Sequence, residues 1–99
     1  AIQSAELLLP YADTLSRLNR HEPAITAYQS VLEKRPNARQ AEWAHLQMAK
    51  HWAALKQYDR ATVALAELDV AEDQMVNRIA ASLKHSMQTA RHARHGEGL

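Results

Sequence analysis

The histidines near the C-terminus are the first residues whose type and spacing could do chemistry. His92 and His95 are three residues apart, and His85 lies seven residues before His92, so a helix would bring all three to one side. A stable metal site needs three or four ligands with outer-shell support, yet no cysteine is available and Arg91 and Arg94 would repel a cation. The pattern therefore favours an exposed helix end over a metal site.

Residues suited to catalysis form no recognisable arrangement. The chain has no cysteine, no glycine-rich phosphate loop and no His-Glu-x-x-His sequence. Its clustered acids, Asp69, Glu72 and Asp73, precede a predicted helix, where the helix dipole stabilises carboxylates in any protein. His45 is more typical of a half-buried packing residue than of a ligand. We predict that the chain is not an enzyme and uses no cofactor.

The last predicted helix is basic. Between Gln74 and Gly96 it has no acid and carries Arg78, Lys84 and two further arginines, but the formal net charge of the whole chain is only +1. Without interleaved aromatic residues, a solvated helix face explains these bases better than nucleic-acid binding does. A metal- or nucleic-acid-binding module built on this helix is the alternative to the function predicted below.

The composition indicates one small helical domain. The chain has 99 residues, two glycines and no phenylalanine, which favours helix over sheet. Its longest apolar run, Leu7 to Leu9, is far shorter than the roughly 20 residues that span a bilayer, so no membrane span is predicted. The missing cysteines do not fix the compartment. The chain does not begin with Met, which is expected either of a segment of a longer protein or of a mature form after processing. We favour a segment of a larger helical-repeat protein of bacterial type.

Apolar and small residues recur at steps of three and four, and two-residue alternation appears nowhere, so the fold class is all-α. Breaks between helices are expected near 19–21, 36–37, 56–57 and 68–70. The first helix should bury one stripe, and the other helices should bury similar ones. That stripe consists of Leu8, Tyr11, Ala12, Leu15 and Leu18.

Capping residues and prolines refine these bounds. Pro23 suits the first turn of the second helix, and residues 37–40 have the form of a capping box that starts a third helix at Ala38. A similar sequence over residues 69–72 should open a fifth helix from about Val70 to His92. Pro10 predicts a kink or a ragged start in the first helix.

The chain also repeats itself. When the sequence is aligned with itself after a shift of 37 residues, small and apolar residues of one segment match small and apolar residues of the other. Such an internal repeat is decisive for the fold. The aligned pairs are Ala12 with Ala49, Leu15 with Trp52, Leu18 with Leu55, Ala24 with Ala61, Ala27 with Ala64, Tyr28 with Leu65, and Val31 with Leu68.

The repeated segments resemble the tetratricopeptide repeat family. The first copy has the family's spacing of large and small residues in both helices and its terminal proline, and the second copy keeps most of that pattern. The second copy departs from the family pattern at two positions. His45 stands where the family has a large apolar residue, and Asp73 stands where it has the terminal proline. The first copy reads Leu8-x₂-Tyr11-Ala12-x₂-Leu15, then Ala24-x₃-Tyr28, Val31 and Pro36, and the second His45-x₂-Met48-Ala49-x₂-Trp52, then Tyr58-x₂-Ala61-x₃-Leu65 and Leu68.

The resemblance implies antiparallel helical hairpins stacked as a short right-handed α-solenoid. It gives one domain over residues 1–99, with repeats at 5–38 and 42–75 and a closing helix at about 70–95. One extra turn before Glu42 accounts for a repeat three residues longer than the family's 34. Two repeats are below the usual minimum of about three. Either the closing helix supplies a further layer, or the missing layers lie in an adjoining chain or an identical partner.

The resemblance also implies a function, that of a protein–protein interaction scaffold binding a partner peptide or helix in a concave groove. Trp43 and Lys50 should lie at its centre, because Trp43 lies off the packing stripe and a groove-facing indole suits a binding hot spot. The alternative is that Trp43 covers a helix end or packs on a neighbouring repeat. Trp52, in contrast, should lie in the core. A chaperone-tail clamp is disfavoured, because Leu9 and Asp13 stand where its Lys and Asn would be expected. The predicted groove residues are Glu6, Leu9, Asp13, Ser16 and Arg17, with Trp43, Leu46, Lys50, Ala53 and Ala54.

The N-terminal edge is a second predicted contact surface. Leu7, Leu8 and Leu9 lie where a repeat array would continue, and exposed apolar patches mark such joints. We therefore expect the isolated domain to self-associate or to expose an apolar edge there.

Overall fold

A computed structural model describes residues 4–68 and 74–97, with the side chains of residues 4–68 and 74–90. Within these ranges the chain is helical and contains no strand, which confirms the all-α prediction. No helix in the described part is long and apolar enough to cross a membrane. The helices are α1 (Ala5–Arg17), α2 (His21–Glu33), α3 (Ala38–Ala54), α4 (Tyr58–Ala66) and α5 (Gln74–Glu97).

The predicted capping box starts α3 as expected. The Gln40 amide donates to Asn37 Oδ1 at 2.8 Å, and the Asn37 amide donates to Gln40 Oε1 at 2.9 Å. These bonds satisfy two amides that the first turn leaves without helical partners. The capping sequence predicted for α5 at 69–72 lies outside the described residues. At its other end α5 continues to Glu97, five residues beyond the predicted His92.

Helix α1 includes Pro10 within its length. Its N-terminus is capped by Ser4, whose Oγ accepts from the Leu7 amide at 3.2 Å, so the helix is established before the proline. Pro10 lacks the amide that would bond the Glu6 carbonyl. Both residues are exposed, so water can reach the carbonyl left without its helical partner.

Both hairpins turn in the same way. Asn19 and Lys56 adopt the left-handed conformation, with φ of 57° and 62°, directly after the C-caps of α1 and α3. The amide of the following residue then donates to the carbonyl five residues earlier. In the first hairpin, the Arg20 amide nitrogen lies 3.1 Å from the Leu15 carbonyl oxygen. The matching bond in the second hairpin is 2.9 Å long. This is the Schellman arrangement, and the two turns are related by the 37-residue shift.

The helices pack in chain order, with α3 at the centre. Helix α3 contacts α1, α2, α4 and α5, whereas α2 packs on α1 and α3, and α4 on α3 and α5. Helix α3 has 17 residues and α1 has 13, so α3 is about one turn longer, and its extra residues, 38–41, precede the equivalent of Ala5.

Two apolar clusters hold these helices together. The first cluster joins α1, α2 and α3, and the second joins α3, α4 and α5. Trp43 and Trp52 are partly buried and pack against both clusters. The second cluster includes Val76, Ala80 and Met87 of α5, which are at most 6% exposed.

The stripe predicted for α1 is wrong at two positions. Tyr11 is 58% exposed and Leu18 is 62% exposed. The reason is their place in the fold, since no further helix of the described chain lies beyond α1 on that side. Their equivalents on α3 are better covered: Met48 is 8% exposed and Leu55 is half-buried, because they pack in the cluster that α2 shares with α3.

Small residues set the helix spacing, and this yields the first prediction. Ala49 and Ala61 are both 0% exposed, so Ala49→Leu and Ala61→Leu should overpack the α3–α4 contact and lower the free energy of unfolding by about 1–3 kcal/mol. Urea unfolding measures the loss. Ala66→Leu, at an exposed position of α4, is the matched control. Wild-type stability in both buried variants would contradict the assigned packing.

Candidate partner-binding site

The predicted groove residues fall into three classes of exposure. Glu6, Arg17, Lys50 and Ala54 are exposed, while Leu9, Asp13, Ser16, Trp43 and Ala53 are half-buried. Leu46 is fully buried in the second cluster, which α5 helps to close. Its side chain therefore offers no surface to a partner. Partner binding by the other predicted groove residues stays a prediction.

Asp13 binds two aromatic side chains instead of facing an open groove. The Tyr28 hydroxyl and the Trp43 Nε1–H both donate to Asp13 Oδ1, at 2.5 and 2.8 Å. Tyr28 is 0% exposed; its burial, and then the Asp13 carboxylate, raise the pKa of its hydroxyl well above the usual value, so the hydroxyl keeps its proton and donates. One carboxylate thus ties α1 to both α2 and α3.

A second polar chain crosses the same three helices near the end of α1. His51 Nε2 lies 2.7 Å from Ser16 Oγ, and His51 Nδ1 lies 2.8 Å from His21 Nδ1. Ser16 Oγ also donates to Gln47 Oε1 at 3.4 Å. His51 is only 4% exposed and Gln47 4%, so these bonds satisfy polar groups that water does not reach.

Ser16 Oγ donates to Gln47 Oε1, whereas the roles of the His51 and His21 ring nitrogens depend on their tautomers. A neutral imidazole donates from one ring nitrogen and accepts at the other, so a His51 ring that donates to Ser16 accepts from His21, and one that accepts from Ser16 donates to His21. Burial, followed by the charges of His21 and Lys50, lowers the pKa of His51 to about 4, consistent with a neutral ring.

His51 and Ser16 lie at the distance of a Ser–His pair, and the same contacts join α1, α2 and α3. Sequence reasoning missed this polar chain, because His51 lies 30 positions from His21 and 35 positions from Ser16 along the sequence.

No group of three or more His, Cys, Asp or Glu residues in the described part of the chain is placed to hold a metal ion. His21 and His51 form only a pair, and His85 is exposed on α5. The side chains of His92 and His95 lie outside the described residues, so the metal alternative is untested at that position.

Two surface grooves lie in matching places on the two hairpins. The first lies between α1 and α2 and the second between α3 and α4, each with a cavity volume of about 470 Å³. Gln29 of α2 reaches the second groove, which Trp52 also lines. The remaining lining residues correspond under the 37-residue shift: Leu8, Tyr11, Glu22, Pro23, Thr26, Ala27 and Ser30 in the first groove, and His45, Met48, Asp59, Arg60, Val63, Ala64 and Glu67 in the second.

The two grooves differ in their chemistry. In the second, the Arg60 guanidinium lies over the Trp52 ring, 4.9 Å from its centroid, an arrangement in which a cation stabilises an aromatic face. Burial lowers the pKa of His45 in this groove, with the nearby Glu67 carboxylate acting in the opposite direction. The first groove has neutral Leu8, Pro23 and Ser30 at the positions equivalent to His45, Arg60 and Glu67.

The surface beside the first groove is uncovered. Leu7 is 61% exposed and Tyr11 58%, whereas their equivalents Ala44 and Met48 are 0% and 8% exposed and belong to the cluster shared by α1, α2 and α3. We name this surface the N-terminal face and define it as Leu7 together with the lining residues of the first groove. Of the three leucines of the predicted apolar edge, Leu7 is exposed, whereas Leu8 and Leu9 are half-buried and pack against the first cluster. Self-association stays a prediction.

The hydrogen bond between Trp43 and Asp13 can be tested by measuring the energetic coupling of the two residues. Trp43→Phe removes one donor to Asp13, and Asp13→Ala removes the shared acceptor, so each should reduce stability by roughly 1.5–3 kcal/mol. Because both act on one bond, the double variant should show a coupling energy of about 0.5–3 kcal/mol in urea unfolding. Trp52→Phe, the same change at the other partly buried indole, should not couple to Asp13→Ala. Additive losses at Asp13 and Trp43 would argue against the bond.

His51 generates a pH prediction. Between about pH 6.5 and pH 4 the unfolded chain binds a proton at His51 that the folded chain does not, so stability should fall as the pH falls through this window. Urea unfolding at about pH 7 and about pH 5 measures the change. His51→Gln should reduce it, while the same substitution at the exposed His85 provides the control. An equal change in wild type and His51→Gln would contradict the prediction.

Comparisons with known proteins assign no family to this chain. No protein-family model matches it, and neither a curated protein nor a solved structure matches it. The resemblance to the tetratricopeptide repeat therefore rests on the sequence pattern alone.

Proposed function

We propose that this chain is a protein–protein interaction scaffold that binds a helix of a partner protein on its N-terminal face. Its architecture in this proposal is two tetratricopeptide-like hairpins stacked as a short right-handed α-solenoid and closed by α5. The observation that carries the proposal is the exposure of Leu7 and Tyr11, whose equivalents on the second hairpin are buried.

The internal repeat indicates what such a surface receives. Helix α2 packs against α3, and Ala44 and Met48 of α3 share a buried cluster with Ile25 of α2. The same side of α1 carries larger apolar residues and remains open. Burying a side chain such as Leu7 contributes about 1.5–3 kcal/mol, which favours a helix laid along α1. An amphipathic helix in an apolar groove is a common mode of protein recognition.

The opposite end of the molecule, formed by α5, is less suited to an apolar contact with a partner helix. Helix α5 buries Val76, Ala80 and Met87 against the second hairpin and leaves a mostly polar outer side. Helical repeat arrays use terminal helices with polar outer faces to remain soluble. The chain thus has one covered end and one open apolar end, which supports binding at the N-terminal face.

The concave-groove version of this function has weaker support. Glu6, Arg17 and Lys50 are exposed and can meet a partner, but Asp13 and Trp43 already bond each other and Leu46 is buried. Nothing in the described side chains favours the metal- or nucleic-acid-binding alternative. The N-terminal face is therefore the surface we propose first.

Photocrosslinking can find the partner and test the face. A photoreactive residue at position 11 should capture a protein in cells, whereas the same residue at the exposed position 78 of α5 should not. Binding of the captured protein to the purified chain is then measured by calorimetry. Tyr11→Lys should weaken it by about 30-fold, corresponding to the roughly 2 kcal/mol of a hot spot.

Met75→Lys supplies the matched control, because Met75 is also an exposed apolar residue, at 65%, but lies on α5. It should leave the affinity unchanged. Unaltered binding by Tyr11→Lys, together with loss of binding by Met75→Lys, would place the interaction on α5 and defeat the proposal.

A further inference from the structure

We infer that the partner helix is an amphipathic helix of a different protein, with apolar residues seven positions apart and a Lys or Arg between them that meets Glu22. The inference rests on the proposed function, because it specifies the occupant of the N-terminal face. It follows from how α2 occupies the equivalent place on the second hairpin, and from the charges that line the two grooves.

Helix α2 provides the pattern for the occupant. Ile25 is 3% exposed in the cluster shared with α3, Leu32 packs half-buried against the same cluster, and Gln29 lines the second groove. These three residues are spaced i, i+4 and i+7, so they share one side of the helix. A helix placed on α1 as α2 is placed on α3 therefore needs apolar residues at i and i+7 and presents residue i+4 to the first groove.

The charge of residue i+4 follows from the groove it meets. The second groove contains its own base, Arg60, beside its acids, and the residue that α2 places there is the neutral Gln29. The first groove is lined by one carboxylate, Glu22, with no Lys or Arg among its lining residues. A Lys or Arg at i+4 would supply the missing opposite charge, and electrostatic complementarity of this kind selects partners.

A second copy of this chain does not meet these requirements. In head-to-tail stacking the second copy would present α5, which covers its second hairpin. Met75 is the single exposed large apolar residue among the described side chains of α5, so that helix offers no pair of apolar residues seven positions apart. If two N-terminal faces met, each would bring Glu22 to the interface and no base among its lining residues, and like charges placed together oppose association.

The test uses helix-stabilised peptides with the sequence of residues 21–34, because unsupported helices this short are marginal in water. One peptide carries Gln29→Lys and the other Gln29→Glu, and both are titrated against the whole chain. The Lys peptide should bind about fivefold more tightly than the Glu peptide, as expected for a partly exposed ion pair, and added salt should narrow the difference. Glu22→Lys in the chain should reverse the preference.

Further variants distinguish a failure of this inference from a failure of the proposed function. Tyr11→Lys should abolish binding of both peptides, while Val63→Lys, a change at the exposed wall of the second groove, should not. Binding that requires Tyr11 but shows no charge preference overturns this inference and leaves the proposed function standing. Failure of every peptide, or loss of binding only with Val63→Lys, counts against the N-terminal face itself. A dimer in sedimentation that Tyr11→Lys dissociates would identify the second copy as occupant and also overturn the inference.

Discussion

Every other helix of this protein depends on the burial of α3 from both sides. Helix α3 contributes Ala44 and Met48 to the first cluster and Leu46 and Ala49 to the second, and its two tryptophans pack against both. A single hairpin of this size would leave one apolar face in water. The two hairpins therefore stabilise each other through one shared helix, and α5 completes the second cluster. A destabilising substitution in α3 should weaken the packing of both hairpins, since the two clusters have no other described helix in common.

Polar contacts fix how the first hairpin sits on α3. Asp13 accepts from Tyr28 and Trp43, and His51 bridges Ser16 and His21. Apolar packing between small residues leaves some freedom for one helix to slide along another, whereas bonds to buried partners are lost when the register shifts. The network thus specifies one arrangement of α1, α2 and α3. Its cost is that Asp13 and Trp43, which were predicted to line a partner-binding groove, bond each other within the fold.

The two ends of the molecule are unequal, and this asymmetry gives the protein its proposed function. The repeat makes the two hairpins alike in their turns and grooves, so the difference lies in what covers each of them. The second hairpin has α2 on one side and α5 on the other. Within the described residues, the first has a covering neighbour on one side only, and its larger side chains Leu7 and Tyr11 stay exposed. Helix α2 covers this surface on the second hairpin, whereas the equivalent surface on α1 is open. We therefore use α2 as the guide to the shape and the charge of the proposed partner.

The sequence by itself determined the helices, the repeat and the breaks near 19–21, 36–37 and 56–57, because these follow from local physics. The predicted break near 68–70 lies partly outside the described residues. Helix periodicity, the capping box at Asn37 and the prolines act within a few residues, and the small residues at Ala49 and Ala61 mark close helix contacts wherever the helices lie. Only the tertiary structure decided which apolar residues are covered. Tyr11 and Met48 occupy equivalent places in the repeat, yet one is exposed and the other buried, because burial depends on a neighbouring helix that periodicity cannot supply. For the same reason no sequence pattern indicated that Asp13 and Trp43 would bind each other, since hydrogen bonds between residues 30 positions apart exist only once the helices have packed.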